Sequence, residues 1–183
     1  NVEKVDYNDL INYITNYNTI FGIELRNKII PLIKQAEIMS NKYDIIVTNP
    51  PYMNNNLMSS ALRKYINKNY SNVKGDMFSA FVVKNSLLGK KDSYLGFMTP
   101  YVWMFITSYK ELREYILNNM NIESLVQLEY SALEEATVPI CTFTLKNNTN
   151  NMIGRYFRLV DYKGRMRIQE EKFLNILKNN SEN

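Results

Sequence analysis

The stretch Tyr43-Asp44-Ile45-Ile46-Val47-Thr48-Asn49-Pro50-Pro51-Tyr52 decides how this chain is read. Its first six residues form a short apolar run rich in β-branched side chains, which predicts a buried strand. Proline has no backbone N–H, so Asn49-Pro50-Pro51 ends that strand. The tetrapeptide Asn49-Pro50-Pro51-Tyr52 therefore sits where a parallel strand leaves its sheet. In open α/β sheets, that carboxyl edge is where ligands bind.

The four residues suit one chemical task, holding an exocyclic amino group of a planar base. The Asn49 side chain offers a carbonyl acceptor. The fixed φ of Pro50 aims its own carbonyl as a second acceptor. Two acceptors hold the two hydrogens of an –NH2 group. Tyr52 supplies a flat ring on which a base extruded from a duplex can stack. The plain alternative is a strand followed by a Pro-Pro turn, since Asn before Pro commonly starts turns.

Upstream of this stretch, residues 6–20 and 23–40 read as helices. Leu25, Ile29, Leu32, Ile33 and Ala36 recur at helical spacing in the second, and Pro31 is expected to kink or restart it. Downstream, residues 53–57 read as a mobile loop. Ser59 or Ser60 can cap a helix to about Asn69, and Asp76 one from Met77 to Leu88 that ends at Gly89. The buried face of that helix is expected to carry Met77 or Phe78, Phe81, Val82 and Leu88. Strands follow at 93–98, 122–130, 138–145 and 154–160. Ser108-Tyr109-Lys110-Glu111 reads as a capping box opening a helix to Asn118. A last helix spans 168–178, with Ile168, Phe173, Leu174 and Leu177 on one side. Early strand–helix alternation predicts an α/β fold with a mostly parallel sheet. Two late strands without a helix between them predict an antiparallel addition at its edge.

The 183 residues suit one domain with a sizeable core. Hydrophobic content is 45% and charged content 22%, both ordinary for a globular protein. A net charge of +4 is compatible with a nucleic-acid partner without demanding one. No apolar run is long enough to span a membrane. A single cysteine, Cys141, excludes an internal disulfide and fits a reducing, cytoplasmic compartment. Histidine is absent. That excludes Ser-His-Asp and Cys-His nucleophiles, and with a single cysteine it leaves too few ligands for the usual structural zinc sites. An enzyme built on this chain works by positioning, by electrostatics, or with a cofactor that carries the reactive group.

The element order, hung on Asn49-Pro50-Pro51-Tyr52, resembles the second half of an adenine-N6 DNA methyltransferase, a Rossmann-like S-adenosylmethionine-dependent fold. Gly75-Asp76-Met77-Phe78-Ser79-Ala80-Phe81 resembles the family's next helical motif, and Gly96-Phe97-Met98-Thr99-Pro100 its next strand motif. Tyr101-Val102-Trp103-Met104-Phe105, Leu128-Glu129-Tyr130 and Thr137-Val138-Pro139-Ile140-Cys141-Thr142-Phe143 resemble the PglX-type methyltransferases of BREX phage defence. The likeness runs from about Asn41 to about Gln169. It implies that Asn49 and Pro50 bind the adenine amino group and that Tyr52 stacks on the flipped base. Pro51 lines that pocket, and Tyr130 or Phe143 supplies its second face. It further implies that Asp76 and Phe78 lie by the cofactor, S-adenosylmethionine, and that the amine attacks the donor methyl directly, with no general base. The implied partners are double-stranded DNA with a flipped adenine, the remainder of the same polypeptide and other phage-defence subunits, with no membrane.

One departure stands out. The family's Gly-rich cofactor turn lies upstream of this strand, and here the first 40 residues contain only Gly22. The resemblance therefore implies a longer polypeptide, and a chain that alone binds the donor weakly and does not methylate. It divides the chain into a helical lead-in at 1–40, a partial catalytic domain at 41–150, and a basic strand and helix at 151–183 leading toward target recognition.

Other residues carry two readings each. Asp76 suits a helix cap or a cofactor contact. Phe143, Trp103 and Phe105 are expected in the core, and Cys141 as a buried thiol. Arg155, Arg158, Lys163, Arg165 and Arg167, with Tyr156, Phe157 and Tyr162 among them, read as a solvated face or as phosphate contacts on DNA. Two other functions keep the same chemistry or fold. One is methylation of a protein glutamine or an RNA guanine amino group. The other is a non-catalytic DNA or protein interaction module. Trp103 and Val138-Pro139-Ile140-Cys141 favour the DNA enzymes over the first of these.

Overall fold

A computed structural model describes residues 6–16, 20–130, 138–150 and 152–180. Two compact units divide at Lys42 and Tyr43.

The first unit is a helix pair, α1 (Tyr7–Thr15) and α2 (Ile20–Ser40). Asp6 caps α1 by accepting from the amides of Asn8 and Asp9. Residues 17–19, expected in the first helix, lie outside the described residues, as does the side chain of Leu25. Helix α2 runs through Pro31 without a restart. Ile33 is buried, whereas Leu32 and Ala36 are exposed, so the expected apolar stripe is only partly covered.

The second unit is a five-stranded sheet: β1 (Tyr43–Thr48), β2 (Gly89–Pro100), β3 (Asn121–Gln127), β4 (Ile140–Lys146) and β5 (Arg155–Arg158). The spatial order is β1-β2-β4-β3-β5. Strands β1 and β2 are parallel, β4 runs antiparallel to both its neighbours, and β5 is parallel to β3. The α/β class holds. The antiparallel strand, expected at an edge, instead lies in the middle, because β4 inserts between β2 and β3 and β5 adds beyond β3. Gly154 admits β5 to that place, since a Cβ there would strike the Ile122 carbonyl.

The helices are α3 (Ser60–Asn69), α4 (Met77–Leu88), α5 (Lys110–Asn119) and α6 (Met166–Asn180). Alternation along the strands sends Leu95, Phe97, Leu125, Cys141, Phe143 and Leu145 to one face. There they pack with Phe78, Val82, Leu112 and Ile116 from α4 and α5 in the main core. Helix α4 turns directly into β2 at Gly89, where a Cβ would collide with the Ser93 hydroxyl. Its buried residues are Phe78, Ser79, Ala80, Val82, Asn85 and Ser86, while Phe81 and Leu88 are half-buried.

Among the described residues of this unit, α6 covers one end of the opposite face. There α6 lays Phe173 and Ile176 against Leu128, Leu159 and Val126. Ile168 and Leu174, expected on the buried side of α6, are exposed. The side chain at the centre of this contact is Gln169, 1% exposed. It accepts from the Glu129 amide and donates to the Tyr162 carbonyl, joining the end of β3 to the turn after β5.

The capping box at Ser108 does not form. A 3-10 turn at Thr107–Tyr109 feeds α5 instead, and no side chain caps it. The amides of Tyr109 and Lys110 bond to the carbonyls of Ile106 and Thr107, so the helix start is satisfied by backbone.

Candidate functional site

Strand β1 pairs with β2 as far as Thr48 opposite Phe97. The chain then leaves the sheet through Asn49 and a buried Pro50, with Pro51 exposed. Burial of Pro50 anchors the turn and leaves the Asn49 side chain in solvent beyond the strand end. The half-buried Tyr52 ring packs against the main core. Its hydroxyl lies 2.8 Å from Asn49 Oδ1 and 3.2 Å from the Met98 carbonyl at the end of β2. Burial, and secondarily Cys141, raises the Tyr52 pKa, so the hydroxyl keeps its proton and donates. Asn49, Tyr52 and the end of β2 thus form one hydrogen-bonded cluster at the carboxyl edge.

The segment after Tyr52 is pinned rather than mobile. Met53 N donates to the Asp76 carboxylate at 3.1 Å, Met77 N to the Met53 carbonyl at 2.9 Å, and Asn55 N to the Gly75 carbonyl at 3.0 Å. Arg63 then ties down the carbonyls of Asn55, Asn56 and Met58. Backbone groups that a free loop would leave to water are used here to fasten the pocket wall to α3 and α4. Ser59 caps α3.

Asp76 caps α4 as expected, accepting from Phe78 N at 3.2 Å. The same oxygen holds Met53, so one carboxylate joins the start of α4 to the segment following Tyr52. Burial raises its pKa, and the amides of Phe78, Met53 and Met77 only partly offset this. Phe78 is 1% exposed and its ring stacks on Tyr109 at 5.5 Å, so the expected cofactor contact is replaced by core packing. Phe143 is likewise a core ring, between Phe97 at 5.3 Å and Trp103 at 5.1 Å, and its faces are not open to a base. The reason is register: Phe143 stands opposite Phe97 on the helix-covered face. Tyr130 is exposed after β3. Residues 131–137 lie outside the described residues, so Thr137 of the resemblance carries no structural account.

Burial pushes the Cys141 thiol up to about 11, so it is an uncharged core group at neutral pH. Trp103 is buried, its Nε1 donating to Thr99 Oγ1 at 3.1 Å. Phe105, expected in the core, is 65% exposed. The turn that carries it was not readable as an outward-facing mount from residue types alone.

Arg155, Arg158, Lys163, Arg165 and Arg167 are all exposed. They do not form one stripe. Alternation along β5 puts Arg155 on the side of Phe157, which packs edge-on against Phe173 at 4.9 Å. Arg158 shares the other side with Tyr156 and pairs with Asp161 at 3.0 Å.

An open hollow of about 510 Å³ lies at the sheet, lined by Val47, Thr48, Asn49, Gly96, Met98 and Thr142 among others. It reaches the Asn49 end of β1. These residues form a wall, not a cradle for a nucleoside cofactor. Asp76 is committed to the backbone amides of Met53 and the start of α4, and no Gly-rich turn occurs among the described residues. The chain alone therefore does not fit a complete S-adenosylmethionine site. Among the described residues no group of side chains could hold a metal ion, and no helix is long and apolar enough to cross a membrane.

The Eco57I restriction-modification methylase family model matches residues 1–133. The chain belongs to the Eco57I restriction-modification methylase family. It is 34% identical over 160 residues to the adenine-specific methyltransferase PglX of Lacticaseibacillus casei (strain Zhang), covering 85% of this chain and 13% of that protein. To the adenine-specific methyltransferase BrxX of Escherichia coli O9:H4 (strain HS) it is 30% identical over 142 residues, 75% of this chain and 12% of that one. The chain thus spans about an eighth of the length of these curated relatives. The methyltransferase subunit of the type I restriction-modification system from Streptococcus thermophilus shares its fold. That likeness has a TM-score of 0.57 at 20% identity, over 76% of this chain and 32% of that structure. The methyltransferase fold expected from the element order is therefore the fold of this family member.

Proposed function

We propose that, within a longer polypeptide, residues 41–150 form the amine-holding half of an adenine-N6 DNA methyltransferase site. The substrate is an adenine flipped out of double-stranded DNA, and the methyl donor is S-adenosylmethionine. The observation that carries this reading is Asn49 at the carboxyl end of β1, exposed and hydrogen-bonded to Tyr52. Asn49 Oδ1 and the Pro50 carbonyl accept the two hydrogens of the N6 amine. That arrangement fixes the amine and leaves its remaining lobe free to attack a methyl group. Tyr52, lined by Pro51, takes one face of the base, and Tyr130 is our candidate for the other. Asp76 acts from behind by holding Met53 and α4 in place.

Histidine is absent, and this reading requires no base before transfer; the proton leaves to water afterwards. S-adenosylmethionine supplies the reactive methyl when bound, and most of its grip comes from residues outside this chain. Residues 151–183 lead toward target recognition, with Arg165 and Arg167 as phosphate contacts. Membership of a restriction-modification methylase family and the two adenine-specific relatives support the substrate class.

The test is Asn49→Ala in the complete polypeptide. Adenine methylation of genomic DNA should vanish while binding of S-adenosylmethionine, followed by titration calorimetry, persists. Methylation that survives the substitution would remove the proposal.

A further inference from the structure

We infer that Phe105, with Ile106 beside it, is a wedge that enters the duplex where the target base leaves its stack. This rests on the DNA-methylation reading above. Four observations support it.

The first is position. A 3-10 turn, Tyr101–Met104, begins directly after Pro100 at the end of β2. Strand β2 is the neighbour of β1, and Tyr52 already donates to the Met98 carbonyl two residues before Pro100. Tyr52, Tyr101 and Met104 pack against the same core cluster. The turn therefore leaves the same edge of the sheet as Asn49-Pro50-Pro51-Tyr52.

The second is stiffness. Trp103 is buried under the turn and tied to Thr99. The amides of Phe105 and Ile106 both bond to the Val102 carbonyl, at 3.1 and 3.0 Å. Arg113 reaches up from α5 and donates to the carbonyls of Trp103 at 2.7 Å and Ile106 at 2.8 Å. Tyr101 N bonds to the Pro139 carbonyl at 3.1 Å. A loose loop could fold an apolar ring back onto the protein; this one holds it out.

The third is exposure. Phe105 is 65% and Ile106 48% exposed, and the ring contact of Phe105 among the described residues is with the edge of Tyr101, at 5.9 Å and 84°. The fourth is size. Two apolar side chains followed by the exposed hydroxyls of Thr107 and Ser108 are too small a patch to be the core of a stable protein interface. Phe and Ile are among the apolar side chains that proteins insert between base steps. Extruding a base leaves a gap in the stack, and an aromatic side chain that fills the gap stabilises the extruded state.

The experiment uses the complete polypeptide and two duplexes, one with the target adenine opposite thymine and one with it opposite an abasic site. An abasic partner removes the pairing that a wedge must help to break. Phe105→Ala is expected to lower kcat/KM on the paired duplex by roughly 10- to 100-fold, the scale of one lost stacking contact. It should recover most of that loss on the abasic duplex, and Phe105→Leu should fall between. Fluorescence of 2-aminopurine at the target should rise with the wild type and stay low with Phe105→Ala. Unchanged activity on the paired duplex would overturn the inference. So would equal losses on both duplexes, the outcome expected if Phe105 instead packs against another part of the polypeptide or a protein partner. Failure of the wild type on both duplexes would remove the DNA-methylation reading and this inference with it. The exposed position means the variants should melt like the wild type.

Discussion

The Tyr52 hydroxyl donates to the side-chain carbonyl of Asn49 across 2.8 Å. An amine arriving at Asn49 competes with that hydroxyl for Oδ1, and the hydroxyl has a second acceptor at Met98. Tyr52→Phe keeps the ring and removes the competitor. In the complete polypeptide, KM for DNA should fall by up to roughly tenfold, the worth of one neutral hydrogen bond, with kcat little changed. Tyr52→Ala loses the stacking surface and should cost roughly 10- to 100-fold in kcat/KM. Steady-state methylation kinetics decide the matter, and equal damage from both substitutions would refute the competition.

Asp76 sets a pH dependence with a definite sign. Burial raises its folded pKa above the unfolded value. Its contribution to stability is therefore full below the unfolded value, near 3.9, and is lost as pH rises through the folded one. Asp76→Asn keeps a carbonyl for the Phe78 and Met53 amides and removes the titration. Urea midpoints between acid and neutral pH should show the wild type losing ground to the variant as pH rises. A difference that stays flat across that range would contradict the assignment.

Leu145 is fully buried on the helix-covered face, and Leu117 of α5 is 67% exposed. Leu145→Ala should cost about 2–5 kcal/mol, because neighbours collapse only partly into the space left. Leu117→Ala should stay within about 0.5 kcal/mol. Chemical denaturation of the two variants separates a core residue from a surface one, and similar midpoints would put the core elsewhere.

Arg165→Glu with Arg167→Glu reverses two charges near the start of α6. If both meet phosphate, DNA affinity should fall similarly on specific and unrelated sequences. The slope of log K against log salt should then flatten by roughly 1 for each contact removed. Filter binding across a salt series measures this, and an unchanged slope would return the pair to the solvated surface.

How far the residues foretold this molecule depended on what each position answers to. Strand β1 was readable as a strand because five apolar or β-branched residues around Asp44 end in Asn-Pro, and both signals are local, but the burial expected of it is not found: it is an edge strand with Ile45 and Val47 exposed. The start of β2 was not: Lys90 and Lys91 are exposed polar residues at the amino end of the strand, and Asp92, with φ of +64°, interrupts its extended geometry before Ser93. Asp76 was readable as a cap, yet its bond to Met53 joins segments 23 residues apart that no periodicity links. Ser108 had the right spacing for a capping box, but a preceding 3-10 turn met the same need through backbone. Phe105 and Trp103 look alike in composition. Only the turn decides that one faces inward and the other outward. Gln169 gave no signal, since its burial depends on carbonyl and amide groups from two other elements.

Strand β1 has a further consequence. It is the last strand on its side of the sheet, and Ile45 and Val47 are 67% and 78% exposed. An edge strand with apolar side chains exposed on it is a template for a second strand. Asp44, paired with Lys90 at 2.7 Å, is the charged group set into this strand. Produced by itself, the segment should self-associate through β1 into oligomers or aggregates. A solubilising charge at Val47, or co-expression with the upstream part of its polypeptide, is then the practical route to handling it in solution.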